Sequence, residues 1–313
     1  MTQSSFHFTR LFALKRPPVA LALLLCMCIT SCNGGKKQQT TATNGIPSVA
    51  VSIPPLEYFA KAIGGDSLQT TTLLPAGTDP ETFEPGMGTL RELNRSGALI
   101  TSGELPFEHS VTSKLNQNNP DLKIFPMSPG IDLIYGTHSH KHSDEGEHNH
   151  PEASDPHIWA SVVNARTIAD NMLRALCLIA PEHETYYRSR HRRLIQHIDS
   201  IDGSFRHQLS RLPSRTFLIW HPSLSYFARD YGLQQIAFNV ENKETSPLQL
   251  QQSINRANAG QPLAFFIPEG LDQRQSASIT AATGIEPVCV NFMSADWEKD
   301  MQTIISALTA TPK

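Results

Sequence analysis

Several things are scarce in this 313-residue chain, and each scarcity excludes something. Only 5 residues are cysteine, too few for a disulfide-stapled small domain. The 26 basic side chains do not outnumber the 29 acidic ones, so the charge balance carries no nucleic-acid footprint. Val19 to Ile29 is an unbroken apolar run, but it falls well short of the roughly 20 residues a membrane-spanning helix needs. No other stretch approaches its length. HExxH and GxSxG are both absent, which removes the common local signatures of zinc peptidases and serine hydrolases. What is present suffices for folding: at roughly 150 residues per domain the length permits two ordinary cores, and 39% of residues are apolar. The distribution of two residue types is uneven. Three of the 5 cysteines fall within Cys26 to Cys32, and five of the 13 histidines fall within His138 to His150.

The first cluster reads as an export signal. Arg10, Lys15 and Arg16 precede the apolar run, and Thr30-Ser31-Cys32 follows it, the order of a secretory leader. Ile29-Thr30-Ser31-Cys32 resembles a bacterial lipobox, which makes Cys32 the expected lipidation site and first mature residue. Cleavage before it leaves 282 residues with a formal charge of −6. Residues 32–45 are polar, without hydrophobic period, and read as a flexible tether. Cys177 and Cys289, each inside an apolar run, are expected as buried free thiols, and no disulfide between them is expected.

Past residue 46, helical and extended patterns alternate. Val49–Ile53, Leu68–Leu74, Ala98–Thr101 and Lys123–Phe125 read as strands; Leu56–Ile63, Thr89–Asn94 and Asn164–Ile179 read as helices. Alternation of this kind builds a parallel sheet. After Pro181, apolar residues at Tyr187, Leu194, Ile198, Ile201, Phe205, Leu209 and Leu212 mark one long helix over 182–212, about 45 Å at 1.5 Å per residue, long enough to bridge two lobes. The second half repeats the class, with strands Thr216–Trp220, Ala264–Ile267 and Pro287–Val290 and helices Leu224–Asp230, Gln273–Thr283 and Ala295–Leu308. The expected fold is α/β. It has an amino lobe at 46–180 carrying a His-rich loop at 137–151, a linking helix at 181–212, and a carboxyl lobe at 213–313.

In open α/β sheets ligands bind beyond the carboxyl ends of the strands. The side chains expected there form a coherent donor set: Glu81 in Pro80-Glu81-Thr82-Phe83-Glu84-Pro85, His221, Glu269 and Asn291, with His157 in Asp155-Pro156-His157-Ile158-Trp159. Imidazole nitrogen and carboxylate oxygen suit Zn²⁺ and Mn²⁺. Neither His157 nor His221 stands in an HxxxH spacing, so a buried structural histidine is the alternative reading of each. His138, His140, His142, His148 and His150, interleaved with Asp144, Glu145 and Glu147, read as a solvated loop holding metal loosely; the alternative is a polar insertion with no ligand role.

These same residues carry a family resemblance. Val49 to Pro85, with Pro-Pro-Leu-Glu-Tyr-Phe-Ala, Leu-Leu-Pro-Ala-Gly-Thr and Pro-Glu-Thr-Phe-Glu-Pro, resembles the amino lobe of the zinc/manganese metal-binding solute receptors of bacterial ABC transporters, the ZnuA/TroA-like group. The likeness continues through Asp155 to Trp159 and through His221 to Leu233, and covers nearly the whole mature chain. It implies two α/β lobes, each with a mainly parallel sheet flanked by helices, joined by one rigid helix, with metal in the cleft between them. His157 and His221 match the family's ligand positions. Glu81 stands where the family commonly has His, and Asn291 where it commonly has Asp; a neutral amide is a poor Zn²⁺ ligand, which leaves the fourth ligand open between Glu269, Glu241 and water. Oxygen donors favour Mn²⁺ or Fe²⁺, whereas the His loop favours Zn²⁺.

The function expected from this resemblance is capture of a divalent metal, foremost zinc, outside the cytoplasm and delivery to an ABC permease and its ATPase. The receptor is expected to be a monomer that is not an enzyme, held to a bacterial membrane by its amino-terminal lipid and binding no nucleic acid. The alternatives are a manganese or iron receptor, a surface adhesin of the same fold, and a zinc hydrolase in which Glu84 or Glu104 serves as general base.

Overall fold

The computed structural model describes residues 45–93, 95–136, 153–239 and 246–310. All of them belong to one unit, Thr40–Lys313. The leader, the tether up to residue 44, Cys32, the five clustered histidines and Glu241 lie outside the described residues.

Two four-stranded sheets organise these residues. The first runs in the order β2-β1-β3-β4 and the second in the order β6-β5-β7-β8, every pairing parallel. The first contains β1 (Ser48–Val51), β2 (Gln69–Thr72), β3 (Ala98–Thr101) and β4 (Lys123–Pro126); the second contains β5 (Thr216–Ile219), β6 (Gln234–Ala237), β7 (Phe265–Pro268) and β8 (Pro287–Val290). The central strands are short apolar runs, and β3 and β5 are buried along their whole length, as expected of strands covered on both faces. In each sheet the order reverses between the first and third strands, which opens a crevice at their carboxyl ends.

Nine α-helices are described: α1 (Pro54–Gly64), α2 (Met87–Leu93), α3 (Pro106–Asn118), α4 (Val162–Ile179), α5 (Glu184–Leu209), α6 (Ser225–Tyr231), α7 (Pro247–Gly260), α8 (Gln273–Thr283) and α9 (Trp297–Thr309). Of these, α3 and α7, together with the strand β6, are not in the sequence reading. Their apolar content is low, yet signals exist: Phe107, Val111 and Leu115 recur every fourth residue in α3, and Ser246 and Gln249 form a capping box with Pro247 at the first helical position of α7. Thiol burial also departs from expectation, because Cys177 is half-buried and Cys289 exposed; both are free.

The long helix α5 has 26 residues, about 39 Å at 1.5 Å per residue, and is shorter than the pattern suggested at both ends: Pro181–His183 forms a separate 3₁₀ turn, and the helix stops at Leu209. It touches both sheets' surroundings. Near its start the Tyr187 hydroxyl donates to the Ser67 carbonyl at 3.1 Å and Arg190 donates to the Ala62 carbonyl at 2.9 Å. Near its end Phe205 packs against Phe227, ring centres 6.5 Å apart, and Asp202 accepts from the Tyr231 hydroxyl at 2.9 Å.

A second tie between the halves is a reciprocal pair of tryptophans. The Trp159 indole donates to the Phe292 carbonyl at 2.9 Å, and the Trp297 indole donates to the Trp159 carbonyl at 2.7 Å. Both rings are buried, and Trp297 also packs on Phe59, centres 5.3 Å apart. Trp297→Phe keeps the ring packing but leaves the Trp159 carbonyl without that donor in a buried setting, at an expected cost of about 1–3 kcal/mol. Urea unfolding measures it; an unchanged midpoint would show that the bond contributes nothing.

Candidate metal centre

Each of three donor side chains is placed by its own local device. Glu81 sits in the turn after β2, where the Asp79 carboxylate accepts from the Glu81 main-chain N–H at 2.9 Å and from the Thr82 hydroxyl at 3.3 Å, an Asx turn that aims the following side chain. The same loop bends at Gly77, whose φ of +76° favours glycine. His221 follows β5 directly; the N–H of its neighbour Trp220 bonds the Phe266 carbonyl at 2.8 Å, and the His221 carbonyl accepts from the Ser223 N–H at 2.7 Å. The sheet therefore delivers this imidazole at its carboxyl edge.

His157 is held most tightly. One oxygen of Asp155 lies 2.9 Å from the His157 main-chain nitrogen and 2.8 Å from its Nδ1, with Pro156 closing the short loop. Asp155 is fully enclosed and His157 is 4% exposed. The Asp155 carbonyl accepts from the Tyr226 hydroxyl at 2.7 Å, and its N–H donates to the Ile134 carbonyl at 2.8 Å. A carboxylate on Nδ1 fixes that nitrogen as the donor and turns Nε2 toward the other ligands.

The three side chains converge. His221 Nε2 is 3.1 Å and His157 Nε2 is 3.8 Å from Glu81 Oε1, and the two imidazole centres are 5.2 Å apart. All three ligand atoms lie within 4.8 Å of one another. Bonds of about 2.1 Å around a tetrahedral zinc place neighbouring donors about 3.4 Å apart, so this spacing needs little adjustment to close on a metal ion. Glu269 and Asn291 line, with His157 and His221, a cavity of about 600 Å³ without joining the cluster. Glu269 is exposed, and Asn291 Oδ1 accepts from the Met293 N–H at 3.1 Å. Neither Glu84 nor Glu104 lines the cavity; the Glu104 carboxylate accepts from the Ser154 hydroxyl. Asp155 and Asp79 are supporting residues that sequence reading passed over, although each stands two positions before a donor, an offset from which an aspartate can bond the donor's main chain.

Burial alone would raise the Asp155 carboxyl, but the His157 charge and hydrogen bonds hold it at about 2, below the usual 3.8. Burial likewise disfavours a charged His157, yet the Asp155, Glu81 and Asp79 carboxylates outweigh it and place the imidazole above the usual 6.5.

A family model described as ZnuA, zinc-uptake complex component A, periplasmic, matches residues 49–311. The chain belongs to this family. Among curated relatives, the zinc-binding lipoprotein AdcA of Streptococcus pneumoniae R6 is 21% identical over 292 residues, covering 92% of this chain and 57% of AdcA. The zinc-binding protein AdcA of Streptococcus pyogenes serotype M3 is 23% identical over 273 residues, covering 82% of this chain and 52% of that protein. The chain thus spans little more than half the length of these curated relatives. Among solved structures, a crystal structure of ZnuA superposes with a TM-score of 0.75 at 28% identity, covering 84% of this chain and 98% of that one. A ZnuA deletion mutant with zinc bound gives 0.73 at 29% identity, covering 85% and 99%. A manganese-bound periplasmic metal-binding protein from Candidatus Liberibacter asiaticus, 17% identical with a TM-score of 0.71 over 84% of this chain and 99% of that one, shares the fold.

Because the folded-state value of His157 lies above its unfolded value, protonation adds stability that is complete below about 6.5 and fades as pH rises through the folded value. NMR titration of the metal-free protein should find His157 above 6.5, and Asp155→Asn should move it down. A value unchanged by that substitution would show that Asp155 does not set the imidazole's charge.

Proposed function

We propose that this protein is a binding receptor, not an enzyme, that captures zinc outside the cytoplasm through Glu81, His157 and His221 and passes it to an ABC permease and its ATPase. The observation that carries the reading is the convergence of these donors, from three separate segments, within 4.8 Å of one another at the carboxyl edges of two parallel sheets. Two neutral imidazoles and one carboxylate are a common zinc donor set. Membership of a zinc-uptake family, with AdcA relatives described as zinc-binding, supports the same cargo. Lobes at 46–180 and 213–313 joined by the segment 181–212 that carries α5 belong to this reading, as do attachment to a bacterial membrane through lipidated Cys32 and a monomeric state. The histidines at 138–150 act as a weak secondary store. No helix among the described residues is long and apolar enough to cross a membrane.

The physical sequence of capture follows from the donors. His157 enters with Nδ1 held by Asp155 and gives up its Nε2 proton as the metal arrives; His221 and Glu81 close on the same ion. The bridging helix and the tryptophan pair resist separation of the halves, so capture involves small adjustments of side chains and loops. Manganese is the second reading, favoured by one feature, the carboxylate oxygen of Glu81 in place of a third nitrogen.

Titration of the metal-stripped protein with Zn²⁺ and Mn²⁺ tests the assignment. His157→Ala and His221→Ala should each lower zinc affinity by at least about tenfold, the lower end for disturbing a metal site's ligand geometry; unchanged tight binding would refute the ligand set. Removal of residues 138–150 should leave the tight site intact and abolish only weak binding. Manganese displacing zinc at equal concentration would overturn zinc as cargo.

A further inference from the structure

The cavity lined by His157 and His221 is far larger than a bare ion requires. Its volume of about 600 Å³ compares with about 30 Å³ for one water, and it falls in the range of pockets that enclose small organic ligands, roughly 300–1,000 Å³. The lining is also unlike that of a bare-ion site. Beyond His157 and His221, the walls present Trp220, Pro268, Phe292 and Met293, with the Asp79 and exposed Glu269 carboxylates as further acceptors. Apolar and aromatic surface does nothing for a hydrated cation. It does recognise the carbon skeleton of an organic molecule, with a few polar groups fixing its orientation.

The coordination count points the same way. Among the described residues the donor cluster holds three side chains, not four, and Asn291 Oδ1, on the cavity wall, is engaged by its own turn through the Met293 N–H at 3.1 Å. A dipositive ion on two neutral imidazoles and one carboxylate keeps one positive charge. The complementary co-ligand is a monoanion that offers nitrogen and oxygen together.

We infer that the cleft takes its metal together with a small co-ligand of the α-amino-acid class, whose amine and carboxylate complete the coordination shell while its side chain lies against Trp220, Phe292 and Met293. This inference rests on the zinc-receptor reading and names the form in which the cargo is held. Apart from metal coordination, the only bond that breaks is one N–H of the ammonium group. The amine binds as the free base and releases one proton to solvent.

The probe is L-histidine, which offers the chelating pair and an aromatic side chain. Native mass spectrometry of the protein with zinc and histidine should show a ternary species carrying one of each. Coupling between two ligands is reciprocal, so zinc-loaded protein should bind histidine about tenfold tighter than metal-free protein, and histidine should raise zinc affinity by the same factor once zinc–histidine complexes in solution are accounted for. Ala76 is an exposed residue of the cavity lining outside the donor cluster; Ala76→Trp should fill the space, abolish the histidine effect and leave binding of zinc alone unchanged. Zinc binding with no ternary species, histidine merely stripping the metal, overturns the inference and leaves the receptor reading standing. A histidine effect that survives in Ala76→Trp overturns the assignment to this cleft. No zinc binding with or without histidine overturns the receptor reading itself.

Discussion

Asp155 is enclosed on all sides, and one of its oxygens lies within hydrogen-bond distance of both the main chain and the ring of the same histidine. A buried carboxylate that lost this partner would stand as an uncompensated charge, a situation that costs several kcal/mol in protein interiors. The pair therefore persists as a unit. Its surroundings are built around it: the Tyr226 hydroxyl, from the second half of the chain, reaches the Asp155 carbonyl, and the first half supplies the Ile134 carbonyl to its N–H. Four residues past Asp155, Trp159 enters the reciprocal tryptophan pair that joins the loop after β8 to the same segment. Position of the imidazole and position of the two halves are thus one problem with one solution.

The two sheets fix where the remaining donors arrive. Each has the same strand order, so each offers a crevice at the same edge, and the turn after β2 and the first residues after β5 bring Glu81 and His221 into that shared space. The carboxylate and imidazoles come from positions 81, 157 and 221, too far apart for any local motif to join them. Only the folded chain makes a site of them.

Much of this was legible in the sequence where period and punctuation were strong. The β-branched and apolar runs of the central strands, the four-residue recurrence in α4 and the long apolar stripe of α5 led to two parallel sheets and a bridging helix. The elements that escaped, α3, β6 and α7, are mostly polar, so their signals were sparse: three apolar residues at four-residue spacing in α3, and capping chemistry in α7. Among proposed donors, Glu81, His157 and His221 came together, while Glu269 and Asn291 were placed on the cavity wall by turn geometry that strand position alone does not encode. Cys289 shows the same limit, since an apolar run in β8 implied burial for a residue that faces solvent. Asp155 was visible as a letter two places before His157, but its role as the partner of that imidazole depends on enclosure, which sequence does not display.

The unbroken helix α5, gripping both halves along its 26 residues, has a kinetic consequence. A receptor built on a flexible hinge can gate its cargo by swinging open, and its off-rate is then a property of the hinge. Here an unbroken helix with contacts near both of its ends stands in place of a hinge. On the proposed receptor reading, cargo leaves by breaking contacts to Glu81, His157 and His221 one at a time, so residence time is written in coordination chemistry. On the same reading, a partner that unloads the protein acts as a competing set of ligands or strains the segment around Asp155.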